Sequence, residues 1–91
     1  MKARLLRIQG RVQGVGYRDW LVRQATAAGL TGWVRNRADG SVEALLAGEE
    51  AAVGAVLLAA RRGPPAAWVD RIEENFAEPP GEPGFQRRPT L

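Results

Sequence analysis

A period-two pattern that gives way, across a short glycine-bearing segment, to a helical period constrains this chain more than any other feature. From Arg4 to Val12, Leu6, Ile8, Gly10 and Val12 fall on one side and Leu5, Arg7, Gln9 and Arg11 on the other, as in a strand with one buried face. Gln13-Gly14-Val15-Gly16 follows, too rich in glycine for regular structure and suited to a turn with positive φ. Tyr17, Leu21, Ala25 and Ala28 then trace a helix stripe, and Gly29 stops it.

The same alternation recurs downstream. Thr31 to Asn36 alternates around Trp33 and Val34, Ser41 to Ala47 around Val42, Ala44 and Leu46, and the Asp39-Gly40 pair between them reads as a hairpin turn. Glu49 and Glu50 open a second helix with the stripe Val53, Val56, Leu57 and Ala60, closed by Arg61-Arg62 and Gly63-Pro64. Trp68 to Phe76 is a fourth strand, in which Val69 and Ile72 fall on opposite parities; this calls for a bulge or for two covered faces. Ala77 to Gly84 is a proline-rich loop, and Phe85 to Arg88 a short edge strand ended by Pro89.

The order strand, helix, strand, strand, helix, strand is that of an α+β, ferredoxin-like βαββαβ sandwich. The expectation is an antiparallel four- to five-stranded sheet with two helices on one face, in a single domain spanning residues 1–91. At this length the core is thin, and a large cofactor has no room in it. Trp20, Trp33 and Trp68 are expected in the core or packed on the sheet.

Cysteine and histidine are both absent, which excludes disulfides, thiolate catalysis, cysteine zinc sites and every nucleophile pair that relies on imidazole. No metal and no cofactor are expected. Of the 13 basic residues only Lys2 is not arginine, and the net charge is +3, so an anionic partner is the first inference. The amino terminus lacks the apolar core of a signal peptide, and no apolar run approaches the roughly 20 residues that span a bilayer. A cytoplasmic protein without membrane contact is expected.

In this topology the first and second strands run in the same direction with the third between them, so their carboxyl ends meet at one edge. There the glycine loop and the first turn of helix one approach Asn36 and the hairpin. Loop amides ahead of a helix amino terminus favour anions, and Arg18 can add a forked full charge. A helix-face arginine is ordinarily just solvated, and an asparagine before a hairpin ordinarily serves the turn; it is their convergence that points to a phosphoryl group. Arg35 and Arg37 read as solvated charges, and Asp19 and Asp39, being acidic, as servants of the helix start and the turn. Gly14-Val15-Gly16-Tyr17-Arg18-Asp19 fails as a dinucleotide fingerprint because Asp19 stands where the last glycine belongs. RNA recognition is the weaker alternative, since the central strands lack the basic and aromatic run that stacks bases; nucleic acid is not expected as a partner. A domain that senses phosphate without hydrolysing anything is a further rival.

Gly10 to Arg18, with the sequence GRVQGVGYR, resembles the first signature of the acylphosphatases, and Gly32-Trp33-Val34-Arg35-Asn36 with Asp39-Gly40-Ser41-Val42-Glu43 and Gly48 resembles the second. Gly63-Pro64, Ala67, Val69, Phe85 and Arg88-Pro89-Thr90 extend the likeness over nearly the whole chain. The resemblance implies hydrolysis of acyl phosphates to carboxylate and inorganic phosphate. It casts Arg18 as the ligand of the phosphoryl oxygens, Asn36 as the group that positions water, and the amides of Gln13, Gly14, Val15, Gly16 and Tyr17 as the rest of the cradle. Inorganic phosphate would be product and competitive inhibitor, and the enzyme a monomer. Two departures are visible: Tyr17 stands where phenylalanine is commoner, and Gln9 where many members have histidine. The chemistry suits a chain without histidine, because a carboxylate leaving group, with a pKa of roughly 4, departs without a proton from a general acid.

Overall fold

The computed structural model describes residues 3–91. The first alternating run is strand β1, Ala3–Arg11, followed by helix α1, Tyr17–Ala27, and strands β2, Thr31–Asn36, and β3, Val42–Ala47. Helix α2, Glu50–Arg62, and strands β4, Trp68–Ala77, and β5, Phe85–Arg87, complete the order. The boundaries match the periodicity to within one or two residues. The five strands form one sheet in the order β4-β1-β3-β2-β5. β3 is antiparallel to β1 on one side and to β2 on the other, so β1 and β2 are parallel. This is the α+β ferredoxin-like arrangement, with one addition to the antiparallel expectation: β5 pairs with β2 in parallel, making the sheet mixed.

Both helices lie on one face. Tyr17, Leu21 and Ala25 of α1 and Val53, Val56 and Ala60 of α2 join Leu6, Ile8, Val12, Val34, Val42, Ala44 and Leu46 of the sheet in one buried cluster. A smaller apolar group, Ala3, Leu45 and Ala47 with Leu5, Trp33 and Ala77 against it, sits on the opposite face. The parity break in β4 is a bulge: Gln9 pairs with Arg71 but Gly10 with Val69, which leaves Asp70 as the extra residue. Gly10 is the residue this bulge demands, since a Cβ there would stand 2.2 Å from the Trp68 carbonyl oxygen and 2.7 Å from the Asp70 nitrogen.

The three tryptophans behave differently from one another. Trp20 is half-buried and meets Tyr17 edge-on, with ring centroids 5.4 Å apart. Trp33 lies under the guanidinium groups of Arg35 and Arg88, at 4.6 and 5.1 Å from the ring centre. Trp68, expected to pack, is instead 70% exposed, because the bulge turns it outward, where its indole N–H donates to Asp70 Oδ1 at 2.9 Å. No helix among the described residues is long and apolar enough to cross a membrane.

A buried polar contact ties the two helices together. Pro64 has no N–H to offer the Ala60 carbonyl four residues before it, and the Tyr17 hydroxyl donates to that oxygen at 2.6 Å instead. Burial of the ring raises the Tyr17 pKa, so the hydroxyl stays a donor at any pH at which the protein would be used. Tyr17→Phe strands the carbonyl and is expected to cost about 1–2 kcal/mol in urea unfolding, with an unchanged m-value.

Candidate active site

The carboxyl ends of β1 and β2 meet at one edge of the sheet, and a cleft of about 170 Å³ opens there. Val12, Gly14, Gly16, Tyr17, Arg18, Asp19, Asn36 and Arg87 line it. This is smaller than the roughly 300–1,000 Å³ of clefts that enclose drug-sized ligands, and it suits a small anion presented on a larger, mostly solvent-exposed molecule.

The loop that frames the cleft is shaped by two glycines. Gly14 has φ 74° and Gly16 has φ 80°, while Val15 between them has the usual negative φ. A Cβ at either glycine would meet open space, so each position is held by backbone conformation and not by crowding. Such alternation curls successive N–H groups toward one point. Gly16 is also the residue ahead of α1, and no side chain caps that helix end. Trp20 N–H is the first to bond back, to the Gly16 carbonyl at 3.1 Å, which leaves the N–H groups of Tyr17, Arg18 and Asp19 at the open end of the helix dipole.

Arg18 is the second residue of α1, half-buried, and pairs with no carboxylate among the described residues. Asn36 ends β2 on the face that the helices cover and is 9% exposed. Its backbone is fixed from outside, since the Leu91 N–H donates to the Asn36 carbonyl at 3.1 Å and the Ala38 N–H to the Leu91 carbonyl at 3.0 Å. Its side-chain Oδ1 is buried and has no hydrogen-bond partner among the described residues. A buried acceptor without a donor is costly, and Asn36 belongs to the cleft wall.

The fold and the paired signatures agree with the comparison to known proteins. The sequence model of the acylphosphatase family matches residues 5–87. The chain belongs to the acylphosphatase family. An acylphosphatase of Acidiphilium cryptum (strain JF-5) is 60% identical over 90 residues, 99% of each chain. Another, of Rhodospirillum rubrum, is 56% identical over 91 residues and 100% of both chains. The crystal structure of acylphosphatase from Bacillus subtilis superposes with a TM-score of 0.91 at 35% identity, covering 97% of this chain and 99% of that one.

Against this family background the sequence-derived residues sort cleanly. Gly14, Gly16, Tyr17, Arg18 and Asn36 all reach the cleft wall. Val15 turns its side chain toward the core. Gln13 turns its side chain to the hairpin, donating from Nε2 to the carbonyls of Arg37 and Ser41, both at 2.8 Å, and so fastens the glycine loop to the segment that carries Asn36. Arg35 and Arg37 stay out of the cleft; with Arg7 they surround Glu43 at 2.8, 3.3 and 3.8 Å on the opposite face of the sheet. Val12, Asp19 and Arg87 are cleft residues that sequence reasoning missed: Asp19, read as serving the helix start, is paired instead with Arg87, and nothing in the chain announces that β5 runs parallel to β2 and ends at the same edge. Among the described residues, no group of three or more Asp or Glu side chains is placed to hold a metal ion.

The hairpin beside the site owes its shape to Asp39. Its Oδ1 accepts from the Ser41 hydroxyl at 2.6 Å and from the Ser41 N–H at 2.9 Å. Those bonds, with the nearby charges of Arg7 and Arg37, hold the carboxyl below its ordinary value of 3.8. A lowered pKa in the folded state means that the stabilisation is complete above 3.8 and disappears as pH falls through the lowered value. The difference in Tm between the wild-type protein and Asp39→Ala is therefore expected to be constant near neutrality and to shrink in strong acid, as thermal unfolding over that range will show.

Proposed function

We propose that Arg18 and Asn36 are the catalytic residues with which this chain, an acylphosphatase, hydrolyses acyl phosphates to carboxylate and inorganic phosphate, and that the reaction runs without a metal ion. The observation that carries this reading is the meeting, around one small cleft, of an unpaired guanidinium, an uncapped helix amino terminus and an orphaned amide oxygen. The first two bind the phosphoryl group. The third holds the water.

The amides of the loop from Gln13 to Tyr17 and the fork of Arg18 take the phosphoryl oxygens, which leaves phosphorus facing Asn36. Asn36 Oδ1 accepts a hydrogen bond from a water molecule and orients that water's lone pair in line with the bond to be broken. The water oxygen forms a bond to phosphorus as the bond from phosphorus to the bridging oxygen breaks, and the electron pair leaves with the carboxylate. Both protons of the water end on the phosphate, the first passing to a phosphoryl oxygen, so no protein group changes its charge. In a loose transition state the charge spreads over the equatorial oxygens, and fixed donors placed there supply most of the rate. The carboxylate is a good leaving group and needs no acid, in keeping with a chain that has no histidine.

Inorganic phosphate occupies the same cradle and competes with substrate. The cleft takes in the phosphoryl end and leaves the acyl part outside, which supports a reading with little discrimination among small acyl groups. The reading is of a cytoplasmic protein that acts as a monomer, for which a site built from the residues of one chain suffices.

Turnover of an acyl phosphate is expected to survive a chelator, while an aryl phosphate monoester, whose leaving group needs a proton, is left intact. Asn36→Ala should lower kcat by about 10²–10³-fold with KM little changed. Arg18→Gln should lower kcat by a similar factor of about 10²–10³ and also weaken inhibition by inorganic phosphate, with circular dichroism confirming the fold of both variants. The kcat profile should be flat from about pH 5 to 8, the range in which a histidine base would titrate. Full activity in Arg18→Gln, or a titrating base in that range, would overturn the assignment.

A further inference from the structure

Arg87 and Asp19 meet at the mouth of the cleft, where Arg87 Nη1 donates to Asp19 Oδ1 at 2.7 Å. Both side chains are about half exposed, at 46% and 59%. A pair so placed adds little to folding stability. Its position is the informative part, because both residues line the same cleft as Arg18 and Asn36.

Asp19 is the third residue of α1. An acid at that point can turn back onto the open amides of its own helix end, as the glutamate of a capping box does. Those amides are the ones a phosphoryl group would use, so a carboxylate there would compete with the anion for donors and repel its charge. In the structure no side chain caps α1. The Asp19 carboxylate is turned outward onto Arg87, which the parallel pairing of β5 with β2, Val34 opposite Arg87, delivers to this edge of the sheet.

We propose that Arg87 is a positioning residue for substrate binding, which acts by holding and neutralising Asp19 so that the cradle stays open to a dianion. The proposal rests on the reading of this cleft as the phosphoryl site. Arg87 acts through Asp19, not as a ligand of its own, and its loss therefore weakens binding while the chemical step, carried by Arg18 and Asn36, is left alone. The role is electrostatic, so it fades as salt screens the exposed carboxylate.

The test is a set of variants, Arg87→Gln, Arg87→Lys and Arg87→Gln with Asp19→Asn, beside Arg18→Gln as reference, assayed for KM and kcat on an aromatic acyl phosphate and for the inhibition constant of inorganic phosphate. Arg87→Gln is expected to raise both KM and the inhibition constant by about three- to tenfold at low ionic strength, less at high, with kcat within about twofold of wild type. Arg87→Lys should keep most of the affinity, and adding Asp19→Asn to Arg87→Gln should restore it. If Arg87→Gln binds phosphate as wild type does, or if Asp19→Asn fails to rescue it, the proposal falls. If Arg18→Gln also leaves phosphate affinity untouched, the fault lies with the assignment of the cleft itself.

Discussion

The pairing of β3 between β1 and β2 is the constraint from which the rest follows. A strand inserted antiparallel between two others makes those two parallel, and parallel strands end at the same edge. The glycine loop after β1 and Asn36 at the end of β2 are 20 residues or more apart in sequence, yet that pairing sets them on the walls of one cleft. The same edge receives β5, whose parallel pairing with β2 adds Arg87 to the cleft and lets the chain end lock the Asn36 backbone.

Charge is distributed in a way that distinguishes the two faces of the sheet. On the open face the carboxylate of Glu43, nearly buried, gathers Arg7, Arg35 and Arg37, so that these guanidinium groups are spent on one another's neighbour and on the hairpin. At the cleft Arg18 has no carboxylate to answer among the described residues, and none of their side chains caps the helix end behind it. Unsatisfied donors and an unsatisfied acceptor in one small space are unfavourable for folding and favourable for binding.

The chemistry asked of this cleft is modest, which is why so short a chain can carry it. An acyl phosphate brings its own good leaving group, and a phosphoryl oxygen can take the proton of the attacking water. What remains for the protein is orientation and fixed positive potential. In the proposed mechanism backbone amides and one arginine provide both, and neither has to change protonation during turnover.

The positions of the helices and of all five strands were legible in the sequence, β5 between its proline-rich loop and Pro89 and the rest because periodicity reports burial directly: Leu6, Ile8, Tyr17, Leu21, Val34, Val53 and Val56 all lie in the core that their spacing implied. The parity break between Val69 and Ile72 likewise registered a real bulge. Arg18 and Asn36 could be nominated because the element order alone brings the carboxyl ends of β1 and β2 to one edge, and because the motifs around them resemble the family signatures. Contacts between segments distant in the chain leave no such trace, since any strand edge offers the same N–H and C=O groups to any partner. The parallel docking of β5, the approach of Arg87 to Asp19, the outward turn of Trp68 and the Tyr17 hydroxyl filling the gap left by Pro64 were therefore decided by tertiary packing alone, where geometry chooses among partners that the sequence leaves equivalent.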